Sequence, residues 1–249
     1  MAEVDKIIPI PGTGKRIYGL LREVPGAPIV VLVHGITADM NCVQLYLAAR
    51  ALEQAGFSSY RFDLYGWDLD ARDLLDCTVD VHADDLDVVV DALRKEQPER
   101  LVSVIGHSLG GLAILASKAR AFDAAVLWDA SHDRGWDKDT FEDARITWEP
   151  ALGCYRMRHG VDCLVSEAML RSWRGRDCTA LIKAFDKPVK IIAAGANDFM
   201  LDWEHTYYEH ANEPKALAVI ADADHNFTTG ETMTDLFAKT IDWLDQHGR

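Results

Sequence analysis

The feature that most restricts the fold of this chain is a series of short apolar runs separated by longer helical patterns. The run Ile29–Val33 contains only valine, isoleucine and leucine, which is typical of a strand covered on both faces. Alternation of such strands with helices predicts an α/β fold, with a mostly parallel central sheet and helices on both faces. We predict strands at 29–33, 58–62, 101–105, 124–128, 189–194 and 216–220, and helices at 42–54, 81–96, 111–118 and 232–247.

One segment, residues 132–186, breaks this alternation. It is rich in aromatic side chains, and we predict a hairpin near residues 158–160 and short helices near 166–172 and 178–185. No linker composition sets it apart, so we predict a single domain over residues 1–249, with this cap segment folded over the strand ends. Its aromatic residues either form a small core of their own or line a pocket, and Trp148 and Tyr155 are our candidates for substrate binding.

Charge restricts the partners of the chain. A net charge of −14 argues against nucleic acid and anionic membranes, because both are bound through clustered lysine and arginine. No apolar run approaches the ~20 residues that a membrane-spanning helix requires. We therefore expect a small-molecule substrate, no nucleic acid and no membrane, and we leave a homodimer open.

The cysteines give no sign of a disulfide framework or a metal site. Their number is odd, none are in CxxC spacing, and no histidine pair lies beside them at zinc-ligand spacing. The chain starts without a basic stretch followed by an apolar core, so we expect no signal peptide. A cytoplasmic protein without cofactor or metal is the expectation.

The pentapeptide Gly106–Gly110, Gly-His-Ser-Leu-Gly, fits the pattern G-x-S-x-G between a predicted strand and a predicted helix. In this context the pattern indicates a nucleophile elbow, a strained turn that holds a serine hydroxyl outward. Glycines on either side remove side chains that would collide with the strand and the helix. The alternative is a glycine-rich turn with an ordinary serine. We predict that Ser108 is a catalytic nucleophile.

A serine nucleophile needs a base, and the base needs an orienting acid. Asp198 follows the predicted strand that ends at residue 194 and comes after Ser108 in the order Ser, Asp, His. We predict Asp198 as the acid, with Asp202 as the second choice. The alternative for Asp198 is a helix cap.

His225 follows the last predicted strand, so it should lie at the same sheet edge as Asp198. We predict His225 as the catalytic base. His107 is expected to pack at the elbow, while His82 and His205 lie in helical patterns that indicate surface positions.

An oxyanion hole requires two preorganised donors. The backbone N–H of Leu109, directly after the nucleophile, is one candidate. The second should come from the turn at Gly35, where we predict the N–H of Ile36, with Thr37 as the alternative.

Together these motifs resemble the α/β-hydrolase family, from Arg16 to His247. The resemblance rests on His34-Gly35, Phe62–Gly66, Gly106–Gly111, Gly195–Asp198 and Asp224-His225, in family order. Within the family the chain looks like the cinnamoyl/feruloyl esterases and monoacylglycerol lipases. It departs from many of them at Gly66-Trp67-Asp68, where they carry Gly-His-Gly.

The resemblance and the motifs together predict a serine esterase that cleaves carboxylic esters of short or aromatic acyl groups through an acyl-enzyme. An amide, peptide, thioester or carbon–carbon bond could be cleaved with the same triad. A non-catalytic ligand-binding member of the family is the remaining alternative.

Overall fold

The computed structural model describes residues 2–133 and 145–249. Eight strands form one sheet in the order β1-β2-β4-β3-β5-β6-β10-β11. The strands are β1 (Val4–Pro9), β2 (Arg16–Arg22), β3 (Ile29–Val33), β4 (Ser58–Phe62), β5 (Val102–His107), β6 (Ala124–Trp128), β10 (Val189–Ala194) and β11 (Lys215–Ile220).

The sheet is parallel from β4 to β11 and antiparallel at its β1–β2 edge. This confirms the α/β class and the mostly parallel sheet. All residues of β3, β4, β5 and β6 are buried, as expected for strands covered on both faces. Strands β1 and β2 were not predicted, because their side chains are partly exposed and their sequences are not continuously apolar.

Helices cover both faces of the sheet and enclose two hydrophobic cores. The first core includes Val31 and Val33 of β3, and the second includes their neighbours Val30 and Leu32. Helices α2 (Val79–Glu96) and α3 (Leu109–Ala116) border the first core, and α1 (Val43–Gln54) and α7 (Thr232–His247) border the second.

Helices α2 and α3 both begin two residues earlier than predicted. In α2 the hydroxyl of Thr78 accepts a hydrogen bond from Val81 N and caps the start of the helix. Every residue of α3 is buried, as expected for a helix that is apolar all round.

In its described residues, 132–133 and 145–186, the cap segment forms a small antiparallel sheet and two short helices between β6 and β10. Its elements are β7 (Ile146–Glu149), β8 (Cys154–His159), β9 (Val161–Val165), α4 (Glu167–Arg174) and α5 (Cys178–Lys183). The β8–β9 turn confirms the predicted hairpin. Residues 134–144 of the segment, which include its aromatic residues Trp136 and Phe141, lie outside the described residues.

The cap segment packs on the main domain through its apolar side chains. Met169 and Leu170 of α4 are buried, and α4 contacts α2. Helix α5 contacts α3 and also α6 (Asp198–His210), the helix that follows β10. Within the described ranges, no helix is both long and apolar enough to cross a membrane.

Candidate active site

Ser108 occupies the turn between β5 and α3 with φ 54° and ψ −118°. This conformation is rare for a residue with a side chain, and such strain is concentrated at functional sites. A Cβ atom on Gly106 would lie 2.5 Å from the carbonyl carbon of Gly110, and one on Gly110 would lie 2.7 Å from His34 O. The turn therefore requires its glycines, as the pentapeptide predicts.

The backbone around Ser108 is held by the loop that follows β6. Ser108 N donates to Trp128 O at 3.0 Å, and Ser131 N donates to Ser108 O at 3.0 Å. The two hydroxyl oxygens, Oγ of Ser108 and Oγ of Ser131, are 3.3 Å apart. Ser131 is thus the side-chain partner of Ser108 in this structure.

His225 forms a close pair with Asp129. Its Nδ1 lies 2.5 Å from Oδ2 of Asp129, whose side chain is fully buried. Since a carboxylate only accepts, Nδ1 carries the proton, which leaves Nε2 as the basic nitrogen. Nε2 has no hydrogen-bond partner in the part of the chain that the structure describes.

Two hydrogen bonds and a sharp backbone turn hold Asp129 in place. Its backbone N donates to Ile192 O at 2.9 Å, its Oδ1 accepts from Ala194 N at 3.0 Å, and its φ of 44° turns the chain sharply after β6. The carboxylate therefore cannot rotate away from His225. This rigidity is what an orienting acid needs.

The acid that contacts His225 is Asp129 and not Asp198, which corrects the sequence prediction. Asp198 is exposed as the first residue of α6, and among the described residues it has no hydrogen-bond or ion-pair partner. The single Nδ1 of His225 is already occupied. Asp129 also follows a strand and also lies between Ser108 and His225 in the chain, so the signal was present but was shared with Asp198.

His107 joins the elbow to the His225 loop. Its Nε2 lies 2.8 Å from the carbonyl oxygen of His225, and the two rings are 4.8 Å apart. Burial lowers the pKa of His107 to about 3, so its ring is neutral and Nε2–H donates to that carbonyl. The predicted packing role of His107 is confirmed.

The turn after β3 lies against the nucleophile. A Cβ on Gly35 would be 3.1 Å from the Cβ of Ser108, so this backbone approaches the serine closely. Neutral His34 supports the turn: its Nδ1 is 2.7 Å from Gly35 O, and its Nε2 accepts from Leu64 N at 3.0 Å. Burial lowers the pKa of His34 to about 4.

Two backbone donors remain unused next to Ser108. Among the described residues, the N–H groups of Ile36 and Leu109 make no hydrogen bond to protein. Leu109 is also the first residue of α3, where the helix dipole favours negative charge. Both groups are available to an anion at the serine, which leaves their oxyanion role a prediction.

Trp148 and Tyr155 are cross-strand neighbours in the cap segment. Their rings meet edge to face at 4.9 Å, and the side chain of Trp148 is 39% exposed. Tyr155 also packs against the first hydrophobic core. The pair thus offers a partly exposed aromatic surface, while its contact with a substrate stays a prediction.

Acyl transfer requires a nucleophile, an oriented base and donors for an oxyanion. The described residues offer all three: Ser108 at the elbow, the His225–Asp129 pair, and the backbone N–H groups of Ile36 and Leu109. The serine can attack a carbonyl, the histidine can carry its proton, and the donors can hold an oxyanion.

Residues 26–132 match the family described as serine aminopeptidase, S33. No curated protein has significant sequence similarity to the chain. Many solved structures share its fold. Est1E from Butyrivibrio proteoclasticus, with ferulic acid bound, has a TM-score of 0.81 and 16% identity over 97% of this chain and 98% of its own. The Pyrococcus furiosus esterase Pf2001 has a TM-score of 0.73 and 18% identity, covering 100% and 93%. A dienelactone hydrolase from Anabaena variabilis has a TM-score of 0.72 and 18% identity, covering 100% and 99%.

Proposed function

Because the chain is an α/β-hydrolase by fold, we propose that it is a serine esterase that cleaves carboxylic esters of short or aromatic acyl groups. The observation that carries the proposal is the 2.5 Å contact between His225 and buried Asp129, beside a strained turn that presents Ser108. Such a pair next to an elbow serine has one well-understood use, the activation of a hydroxyl nucleophile.

In the proposed mechanism, Ser108 attacks the ester carbonyl while Nε2 of His225 takes its proton. Asp129 holds the ring in the required tautomer and stabilises its charged form. The N–H groups of Ile36 and Leu109 bind the oxyanion of the tetrahedral intermediate. His225 then protonates the leaving alcohol. A water that gives its proton to His225 then attacks the acyl-enzyme, and His225 returns that proton to Ser108 as the acid product leaves.

The resting contact between Ser108 Oγ and Ser131 Oγ fits this mechanism. At 3.3 Å it is a weak hydrogen bond, so the Ser108 hydroxyl can turn towards His225 when substrate binds. Catalytic hydrogen bonds are often long in unliganded enzymes and tighten in the complex.

Ester substrates are favoured by two observations. Several structures that share the fold are esterases, one of them with ferulic acid bound. The partly exposed Trp148–Tyr155 pair provides an apolar surface suited to an acyl or aromatic group. A second candidate, cleavage of an aminoacyl amide, is supported by the description of the matching family as a serine aminopeptidase.

Labelling with a fluorophosphonate tests the nucleophile. Ser131→Ala is the matched control, because the Ser131 hydroxyl lies within hydrogen-bond distance of the Ser108 hydroxyl. We expect labelling of the wild type and of Ser131→Ala, and none of Ser108→Ala. Labelling that survives in Ser108→Ala would show that another residue is the nucleophile.

A substrate panel tests the reaction class. It should contain p-nitrophenyl esters of increasing chain length, a methyl hydroxycinnamate and aminoacyl p-nitroanilides. We expect ester turnover that is lost in Ser108→Ala. Turnover of the anilides without turnover of any ester would replace the esterase proposal with the amidase.

A cytoplasmic location is also part of the proposal. It is supported by five free thiols, which a reducing compartment maintains. Cell fractionation of the source organism with an antibody against the protein would test it.

A further inference from the structure

Three side chains of different chemistry meet where the first residues of the cap segment, just after β6, approach its helix α5. One ligand atom from each of His132, Asp133 and Cys178 lies within 4.8 Å of the other two. His132 and Cys178 are buried, and the side chain of Asp133 is 28% exposed. His132 and Asp133 follow β6, whereas Cys178 begins α5, so the cluster joins two segments that are far apart in the sequence.

The chemistry of this cluster is that of a transition-metal site. Imidazole, thiolate and carboxylate are the ligands that proteins use for Zn²⁺, whereas Mg²⁺ and Ca²⁺ take oxygen ligands. Three protein ligands also leave a fourth position of a tetrahedral ion open to water. We propose that His132, Asp133 and Cys178 bind a divalent transition-metal ion of the zinc type.

The surroundings of the cluster hold the ligands in place. The ring of His132 lies 5.8 Å from the ring of Trp203 and 4.9 Å from that of Tyr207, both on α6. The hydroxyl of Tyr207 donates to Ser131 O at 2.6 Å, which anchors the residue that precedes His132. Such supporting contacts orient metal ligands and are part of the affinity of a site.

Two of the candidate ligand groups are already in contact, because Nδ1 of His132 lies 2.6 Å from Oδ1 of Asp133. The three ligand atoms lie within 4.8 Å of one another and must draw closer to share one ion, which requires a small movement of α5 or of the β6 loop.

The site lies next to the catalytic centre but takes no part in the proposed reaction. Ser131 connects the two, because it precedes His132 and its Oγ is 3.3 Å from Ser108 Oγ. A bound ion would fix α5 to the start of the cap segment, which directly follows Ser131. Metal binding by these three residues is independent of which bond the enzyme cleaves.

Cobalt substitution tests the site directly, because Co²⁺ bound by a thiolate gives a charge-transfer band and tetrahedral Co²⁺ gives intense visible bands. The full-length protein, stripped with a chelator, is titrated with Co²⁺ and, in a calorimeter, with Zn²⁺. We expect one equivalent to bind with the thiolate band, and Cys178→Ser to lose the band. Loss of a ligand in Cys178→Ser or His132→Asn should weaken Zn²⁺ binding by roughly 100-fold or more.

Cys154→Ser is the matched control, since Cys154 is a buried cysteine of the same cap segment outside the cluster. It should bind both ions as the wild type does. Circular dichroism and fluorophosphonate labelling report whether each variant is folded. The proposal fails if folded wild type shows no thiolate–cobalt band, or if Cys178→Ser binds as tightly as the wild type. Asp133→Asn provides a third, milder variant should either of the others not fold.

Discussion

His225 and Asp129 are joined by a 2.5 Å contact between Nδ1 and Oδ2, and Asp129 reaches it from the turn after β6. The carboxylate is wholly buried and accepts a further hydrogen bond from Ala194 N, while the backbone N of Asp129 donates to Ile192 O in β10. The histidine is therefore oriented by an acid from the middle of the sheet.

Exchange of the acid is the sharpest test of this geometry. Asp129→Asn should lower kcat for a p-nitrophenyl ester by about 10³- to 10⁴-fold, because an amide no longer stabilises the protonated histidine or fixes its tautomer. Asp198→Asn, the matched control, should change kcat by less than about twofold, because Asp198 is exposed and makes no hydrogen bond or ion pair with the described residues. The reverse pattern would return the catalytic role to Asp198.

Crowding at the elbow should make Gly106 intolerant of any side chain. In Gly106→Ala the new methyl group would lie 2.5 Å from the carbonyl carbon of Gly110. Strand β5 and helix α3 are both buried, so neither can move freely to relieve the clash. We expect a loss of about 3 kcal/mol in the free energy of unfolding by urea. Gly66→Ala is the control, since its methyl group would meet Ala71 at an ordinary 3.5 Å. Equal stability of the two variants would contradict the crowded turn.

Buried His82 should make the protein less stable in mild acid. Burial lowers its pKa to about 3 from the ordinary 6.5, and both ring nitrogens lack a hydrogen-bond partner among the described residues. Below pH 6.5 the unfolded chain binds a proton that the native ring refuses, so stability falls as pH drops. Between pH 7.5 and 5.5 this amounts to about 1 kcal/mol.

Replacement of His82 by leucine should remove that part of the pH dependence. We expect urea unfolding of His82→Leu to lose about 1 kcal/mol less than the wild type between the two pH values. At pH 7.5 the variant should be at least as stable, because two unpaired buried polar atoms are gone. The exposed His205 serves as control, and His205→Gln should keep the wild-type slope. An unchanged slope in His82→Leu would mean that the native ring is protonated in this range.

Trp148 should contribute to binding rather than to chemistry if the cap segment lines the substrate pocket. For a methyl hydroxycinnamate, Trp148→Ala is expected to raise KM about fivefold, the equivalent of one aromatic contact, with kcat nearly unchanged. Short alkyl esters should be affected less. Leu152→Ala, at an exposed apolar position in the β7–β8 turn, is the control. An effect on kcat alone would place Trp148 outside the pocket.

Much of the sheet is predictable because its central strands are buried on both faces. Most of them are runs of apolar residues, although β4 also buries two serines and Arg61, and each predicted strand agrees with the structure to within two residues. Edge strands β1 and β2 mix exposed and buried positions, and their pattern gives a weaker signal. His82 was placed at the surface, although it lies four residues before Leu86 and therefore on the buried face of α2.

The sequence identifies Ser108 more clearly than the acid that contacts His225. The elbow is local, since strand, glycines, serine and helix follow one another in fewer than 20 residues. The acid depends on which of two neighbouring strands sends a carboxylate to His225. Strands β6 and β10 are paired in parallel, so Asp129 and Asp198 both leave the sheet at the same edge.

By itself, the sequence determined the layered α/β architecture, the strained serine turn and the presence of a histidine on the last loop, because each rests on periodicity or on close neighbours in the chain. Only the tertiary structure decided which carboxylate serves that histidine. The positive φ of Asp129 turns its side chain inward to a buried contact, whereas Asp198 begins a helix and faces solvent. Backbone direction after a strand is set by long-range packing, and no local pattern of residues records it.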